Sequence, residues 1–293
     1  MHEQRSNEAA IWLVFGLSGQ VGAALQGSLC GADPPVLALS RTPRAPGACV
    51  RWLAGELASA PDPAQPVAAI ASLGPLDAFA QWFERSRLAP ARVVALGSTS
   101  VHGKRGSPDP AERRLVQALL EAERRLAETA AARGSALTLL RPTLIYGSGR
   151  DQNLSRIVAL ARRWRWLPLP RQARGLRQPV HVEDVAGAVL HCLRAAPPCP
   201  GVYDLPGGET LAFDEMLRRT LAAAAPRARL VRVPGPAFRA GIRMLRLSGR
   251  LGAAGEGVLA RLDQDLAYDP APAREALGHR PRGFQPTADM FPG

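Results

Sequence analysis

The stretch AIWLVFGLSGQVGAALQGSLC, residues 10–30, constrains the fold more than any other part of the chain. Ile11 to Phe15 is a continuous apolar run of strand length, the pattern of a strand buried on both faces. Gly16, Gly19 and Gly22 follow at regular spacing, and a helical segment runs from about Gln20 to Cys30. One glycine lets the chain turn off the strand, a second lets backbone approach an anion closely, and a third lets helix pack on sheet. The helix N-terminus then offers unpaired N–H groups to that anion. A glycine-rich turn without a ligand would explain the glycines alone. Strand, glycine turn and helix in this order predict a dinucleotide site contacted by Gly16, Ser18, Gly19, Gln20, Val21 and Gly22.

The next strand, VLALS (36–40), ends in Ser40 and Arg41, with Arg44 close by. A site for NAD usually places a carboxylate at this strand end to hold the ribose hydroxyls. A hydroxyl and a guanidinium suit a 2′-phosphate instead, because arginine pairs bidentately with phosphate. Ser40 and Arg41 therefore predict NADP(H), with NAD as the alternative.

Strands and helices continue to alternate. PVAAIAS (66–72) reads as a strand, Leu76 to Arg87 as a helix, and ARVVALGSTSVHG (91–103) as a strand running into a loop. A long helix is predicted from about Ala111 to Arg133, then the strand ALTLLRP (136–142). Units of this length imply an α/β fold of Rossmann type, a doubly wound parallel sheet with helices on both faces and a smaller C-terminal lobe. Residues 1–150 are expected to form mainly the dinucleotide-binding core. Residues 151–293 are expected to form mainly a substrate-binding lobe, with some strands and helices returning to the core.

Six segments in order resemble the extended short-chain dehydrogenase/reductase family, the epimerase/dehydratase type. They are GLSGQVG (16–22), LGSTSVHG (96–103), AERRL (122–126), LRPTLIYGSGR (140–150), RQPVHVEDVAGAV (177–189) and GVYDLPGGETL (201–211). The resemblance spans nearly the whole chain. It implies that Ser98 occupies the family's catalytic serine/threonine position. It also implies a tyrosine as acid/base and a lysine one helical turn later, whose cation would favour the ionised phenol.

Glu123 matches a family glutamate and precedes Arg141 by 18 residues, the family's usual interval. Counting back from it places Leu119 and Leu115 where the lysine and tyrosine would stand, as core or pocket wall. No alignment is needed to see the loss. The tyrosines are Tyr146, Tyr203 and Tyr268, and the one lysine is Lys104, so Tyr-x-x-x-Lys occurs nowhere. His102, near Ser98, is the titratable group whose ordinary pKa suits neutral pH. A Ser98–His102 pair is the candidate replacement, against a loop histidine bonded to backbone or water.

After Arg150 the chain becomes rich in proline and arginine, with a helix expected to reach about Trp166. By the resemblance this part faces the substrate, often a nucleotide sugar, and Arg177 stands where relatives meet its phosphates. Arg177 and Asn153 are candidate substrate contacts, and Tyr146 is expected to cap the substrate pocket as a structural phenol. Asp184 is expected in the first turn of a helix, complementing its dipole. The tryptophans of RRWRW (162–166) are expected to pack under a lid rather than stack on nucleic acid. Segment 236–251 is expected to be such a lid helix, with a membrane-surface helix as the alternative.

The net charge of +12 would by itself raise nucleic acid or an acidic surface as partners. Every basic side chain but Lys104 is arginine, and alanine, glycine and proline abound, all residue types with GC-rich codons. Genome composition therefore accounts for the arginine bias, and no nucleic-acid partner is expected. Scattered cysteines without a CxxC pair argue against a metal or disulfide framework and for a cytoplasmic setting. No apolar run reaches about 18 residues, so no transmembrane helix is expected. Residues 1–9 read as a polar arm, not a signal peptide.

The partners expected are a small-molecule substrate, bearing phosphate on the strength of Arg177, and a second copy of the chain joined through long helices. Two functions stand in front. One is an NADP(H)-dependent oxidoreductase or epimerase/dehydratase-type enzyme with a non-standard proton donor. The other is a non-catalytic NADP(H)-binding sensor, regulator or assembly factor. A nucleic-acid- or membrane-surface-binding protein ranks third.

Overall fold

Strands buried on both faces need apolar residues at every position, and the central strands have them: all five residues of β1 (Ile11–Phe15) are buried. The computed structural model describes residues 10–151, 153–247 and 261–291. The polar arm over residues 1–9 and the end of the amphipathic segment, from residue 248, lie outside the described residues.

The other sheet strands are β2 (Val36–Ser40), β3 (Val50–Ala54), β4 (Val67–Ser72), β5 (Arg92–Leu96), β6 (Ala136–Pro142) and, after four short strands, β11 (Gly201–Leu205). They form one seven-stranded sheet in the order β11-β6-β5-β4-β1-β2-β3, parallel throughout. The chain winds outward from β1 to β3, returns to β4 beside β1, and winds the other way. That reversal leaves a crevice at the C-terminal ends of β1 and β4, where open α/β sheets bind ligands. The glycine turn after β1 opens into it. The α/β doubly wound class read from the sequence is the observed fold.

Helices α1 (Gln20–Ser28) and α6 (Val182–Arg194) pack together on one face, α2 (Leu76–Arg85) and α4 (Pro110–Ala132) on the other. Each face has its own apolar cluster, one around Val14, Leu25 and Val189, the other around Phe15, Phe79, Trp82 and Leu126. Asp184 lies in the first turn of α6, as expected. A third cluster, including Leu154, Val158, Met216, Leu217 and Phe284, forms the core of the second lobe. Its elements include α5 (Leu154–Trp164), α7 (Phe213–Ala224) and the parallel pair β8 (Trp166–Pro170) and β13 (Arg229–Val233). Among the described residues no helix is long and apolar enough to cross a membrane.

Three expectations need correction. Helix α5 stops at Trp164, because Arg165 takes a left-handed conformation at φ 61°, and Trp166 begins β8. Trp164 and Trp166 therefore flank a helix stop on the surface, 38% and 49% exposed, and stack on each other rather than beneath a lid. Leu115 on α4 is 44% exposed, so it is not core, whereas Leu119 packs against the cluster shared with α2.

Candidate functional site

The cradle is built by the three glycines. Gly16 turns the chain at φ 77°, and a Cβ on it would come 2.9 Å from the backbone nitrogen of Gly74. A Cβ on Gly22 would come 2.4 Å from the Gly16 carbonyl and the Leu17 backbone. Helix α1 therefore sits as close to the turn as backbone allows.

Gly19 caps α1 without a side-chain bond, and the first helical bond runs from Ala23 N to Gly19 O at 2.9 Å. The N–H groups of Gln20, Val21 and Gly22 precede it and have no helical acceptor. Open donors at the positive end of a helix fit a pyrophosphate. The loop after β7 (Ile145–Tyr146) closes over this turn, with Ser148 Oγ donating to Gln20 Oε1 at 3.0 Å and Arg150 donating to Ser18 O at 3.2 Å.

At the end of β2, Ser40 is buried and its Oγ accepts from Thr42 N at 3.3 Å. Arg44 lies over the Trp52 ring, 5.3 Å from its centroid. Arg41 is exposed and forms no ion pair among the described residues. It is the guanidinium left open at this strand end.

One cleft of about 710 Å³ runs from the cradle to the second lobe. Gly19 and Gln20 line one end, Ser98 and Ser100 the middle, and Asn153 and Arg177 the lobe side. These sequence candidates are brought together. A cavity of about 530 Å³ at the opposite ends of β1 to β3, beside Ile11, Val36 and Val50, holds none of them.

Ser98 Oγ donates to Ser100 Oγ at 3.0 Å. The short turn α3 (Ser100–Gly103) carries His102 away from it. His102 Nε2 lies 3.0 Å from Asp204 of β11, and the ring does not line the cleft, so the expected Ser98–His102 pair is not formed.

Tyr146 is corrected as well. It is fully buried, its hydroxyl donating to Gly283 O at 3.3 Å and accepting from Gln285 N at 3.4 Å, its ring against His181 and Phe284. Strand neighbours face opposite ways, and it is Ile145 that lines the cleft.

Arg177 is buried, and its guanidinium donates to the carbonyls of Leu176, Gln264 and Arg261 at 2.7, 2.7 and 2.5 Å, while lying 5.2 Å from the Phe213 ring centroid. Burial pushes its pKa down. It borders the cleft as an anchored charge rather than a freely reaching side chain.

Lys104, Arg150, Asp151, Gln178, Arg261 and Tyr268 also line the cleft and were not identified as site residues from the sequence. Gln178 clamps Tyr268 in place, accepting from its backbone N–H at 2.7 Å and donating to its carbonyl at 3.2 Å. Tyr268 Oη donates to Thr99 O at 3.4 Å, and burial raises its phenol pKa. Arg261 and Tyr268 come from a distant connection that no local pattern marks. Lys104 had a signal, since it is the only lysine. On the far side of β6, Arg141 Nε donates to Glu123 Oε1 at 2.8 Å, forming the pair implied by their spacing.

No family profile matches the chain. UDP-glucose 4-epimerase of Vibrio cholerae is 24% identical over 176 residues, which cover 58% of this chain and 51% of that protein. The chain thus matches about half the length of that curated relative. The solved structure of MoeE5 in complex with UDP-glucuronic acid and NAD superposes with a TM-score of 0.68 at 19% identity, covering 94% of this chain and 95% of that one. That of TunA, an NAD-dependent NDP-hexosamine 5,6-dehydratase involved in tunicamycin biosynthesis, gives a TM-score of 0.67 at 16% identity, covering 96% and 95%. At such identities the solved structures speak for the fold. In fold and motif order the chain is similar to the extended short-chain dehydrogenase/reductases of the epimerase/dehydratase type, and its sequence contains no Tyr-x-x-x-Lys.

Proposed function

We propose that the protein is an NADP(H)-using oxidoreductase or epimerase/dehydratase-type enzyme acting on a phosphate-bearing small molecule of nucleotide-sugar kind. A group other than the family's tyrosine would move its proton. The observation that carries this reading is the single cleft joining Gly19 and Gln20 of the cradle to Ser98 and to Arg177. The nicotinamide nucleotide would supply reversible two-electron chemistry at a carbinol carbon. Gln20, Val21 and Gly22 would hold its pyrophosphate through their N–H groups, and Arg41 would meet the 2′-phosphate. Arg177 and Arg261 give the lobe side a positive field suited to an anionic substrate, and Ser98 would hydrogen-bond the reacting oxygen. The kinds of substrate named for MoeE5 and the Vibrio cholerae relative support the nucleotide-sugar assignment.

The test is a calorimetric titration with NADPH and NADH, followed by incubation with UDP-glucose and UDP-glucuronic acid and product analysis. NADPH binding with turnover supports the proposal, and failure to bind either nucleotide ends it. A second reading, a non-catalytic NADP(H)-binding sensor, regulator or assembly factor, is favoured by the leucines at 115 and 119, neither of which lines the cleft. Tight NADPH binding with no chemistry on any nucleotide sugar would decide for it.

A further inference from the structure

Six side chains lining the cleft carry a titratable or permanently charged group: Lys104, Arg150, Asp151, Arg177, Arg261 and Tyr268. The three arginines do not release a proton near neutral pH. Asp151 is spent on the start of α5, accepting from Asn153 N at 3.0 Å, Ser155 N at 3.2 Å and Ser155 Oγ at 2.6 Å. Tyr268 keeps its proton, since burial favours the neutral phenol.

We infer that Lys104 is the proton-transfer residue of this cleft; the inference rests on the proposed nucleotide-dependent chemistry. Its side chain is 26% exposed, and Nζ lies 3.9 Å from Glu112 Oε1, beyond hydrogen-bond reach. Glu112 is already matched, by the Arg261 guanidinium on both oxygens and by Ser107 Oγ at 2.6 Å. Lys104 Nζ donates no hydrogen bond among the described residues. Burial pushes the amine's pKa down; Glu112 and Asp109 oppose this and Arg261 adds to it, leaving it lowered. Arg113, nearby in sequence, is held by the carbonyls of Ser107 and Pro108 at 2.7 and 3.0 Å.

Composition points the same way. A chain with arginine at every other basic position has lysine here. A guanidinium would serve a purely electrostatic role equally well, whereas only an amine can give up and regain a proton.

In the oxidative direction the neutral amine takes the proton of a substrate hydroxyl onto Nζ as the O–H bond breaks. The hydrogen on the same carbon leaves with its electron pair to the oxidised nicotinamide nucleotide, and the carbinol becomes a carbonyl. In the reductive direction the ammonium returns the proton to the oxygen.

With one lysine in the chain, lysine carrying carbon-13 at Cε gives one side-chain resonance to titrate by NMR. The expected midpoint lies below the ordinary value of about 10.4; an ordinary or higher midpoint overturns the inference. Lys104→Arg and Lys104→Met should bind NADPH within twofold of the parent while kcat falls about a hundredfold or more. Retained turnover in Lys104→Arg also overturns it, because that side chain cannot cycle a proton. If the parent binds NADPH but turns nothing over, UDP-glucose serves as probe. The Cε resonance of the NADPH-loaded protein must then shift on its addition, and no shift overturns the assignment. If the parent binds neither nucleotide, the functional proposal itself fails, a result seen before any substitution is made, and the inference falls with it.

Discussion

Glu123 of α4 and Arg141 of β6 form a two-pronged ion pair with both side chains largely buried, 8% and 15% exposed. The pair fixes the rotation of α4 against the sheet. The Gly97 backbone passes beside it, where a Cβ would come 3.1 Å from Glu123 Oε1. One and two turns earlier on the same helix stand Leu119 and Leu115. The helix is thus anchored to the sheet by a buried ion pair, with apolar side chains at the positions one and two turns before it.

Removing one partner of this pair leaves the other charge buried and unmatched. Glu123→Ala is expected to cost about 3–5 kcal/mol of stability, read by urea denaturation. A loss under about 1 kcal/mol would mean that Arg141 finds water or a new acceptor.

Two glycines on α1 should respond oppositely to the same change. Gly22→Ala puts a methyl group against the Gly16 and Leu17 backbone, for an expected cost of about 1–3 kcal/mol and a loss of NADPH affinity. Gly27→Ala meets nothing within 4 Å and should stabilise the helix by about 0.5–1 kcal/mol. Equal effects at both sites would contradict the cradle's close packing.

The assignment of Arg41 makes a statement about selectivity. Arg41→Ala is expected to weaken NADPH about tenfold or more, the scale of a lost charge-assisted contact of ~1.5 kcal/mol or above, with NADH changed less than twofold. Parallel losses for the two nucleotides would remove Arg41 from the 2′-phosphate site.

His181 and His279 are buried, each with Nε2 unpartnered among the described residues, and burial lowers the pKa of both. Their folded values lie below the unfolded value of about 6.5, so below that pH the unfolded chain binds protons that the folded chain refuses. Their stabilising contribution is complete above about pH 6.5 and lost as pH falls toward the folded values. Unfolding free energy measured from pH 7.5 to 5.5 should decline, by up to about 1.4 kcal/mol per pH unit for each histidine. The slope should be shallower in His279→Gln; an unchanged slope would place the linkage elsewhere.

The nucleotide half was legible because doubly buried parallel strands leave unbroken apolar runs and a close turn demands glycine. Strand β3 escaped notice because it is an edge strand, with only Val50 fully buried of its five residues. Within the cleft, Gly19, Gln20, Ser98, Asn153 and Arg177 could be found from local motifs. His102 and Tyr146 were misplaced by orientation alone, through one short helical turn in the first case and the alternation of a strand in the second. Arg261 and Tyr268 had no local signature, since nothing periodic says where a long connection will cross a distant strand end.

Strand β11 reaches the sheet only after the chain has passed through α5 and α6. A ribosome working from the N-terminus has therefore delivered six strands before their last neighbour exists. Throughout that interval Ala136–Pro142 stands as an open edge, the N–H and C=O groups that face away from β5 unpaired beside Leu137, Leu139 and Leu140. Such an edge invites pairing with other chains. Excising residues 1–150 as a portable nucleotide-binding module would make that transient exposure permanent. The second lobe, whatever it binds, also acts as the tether that brings the sheet its closing strand.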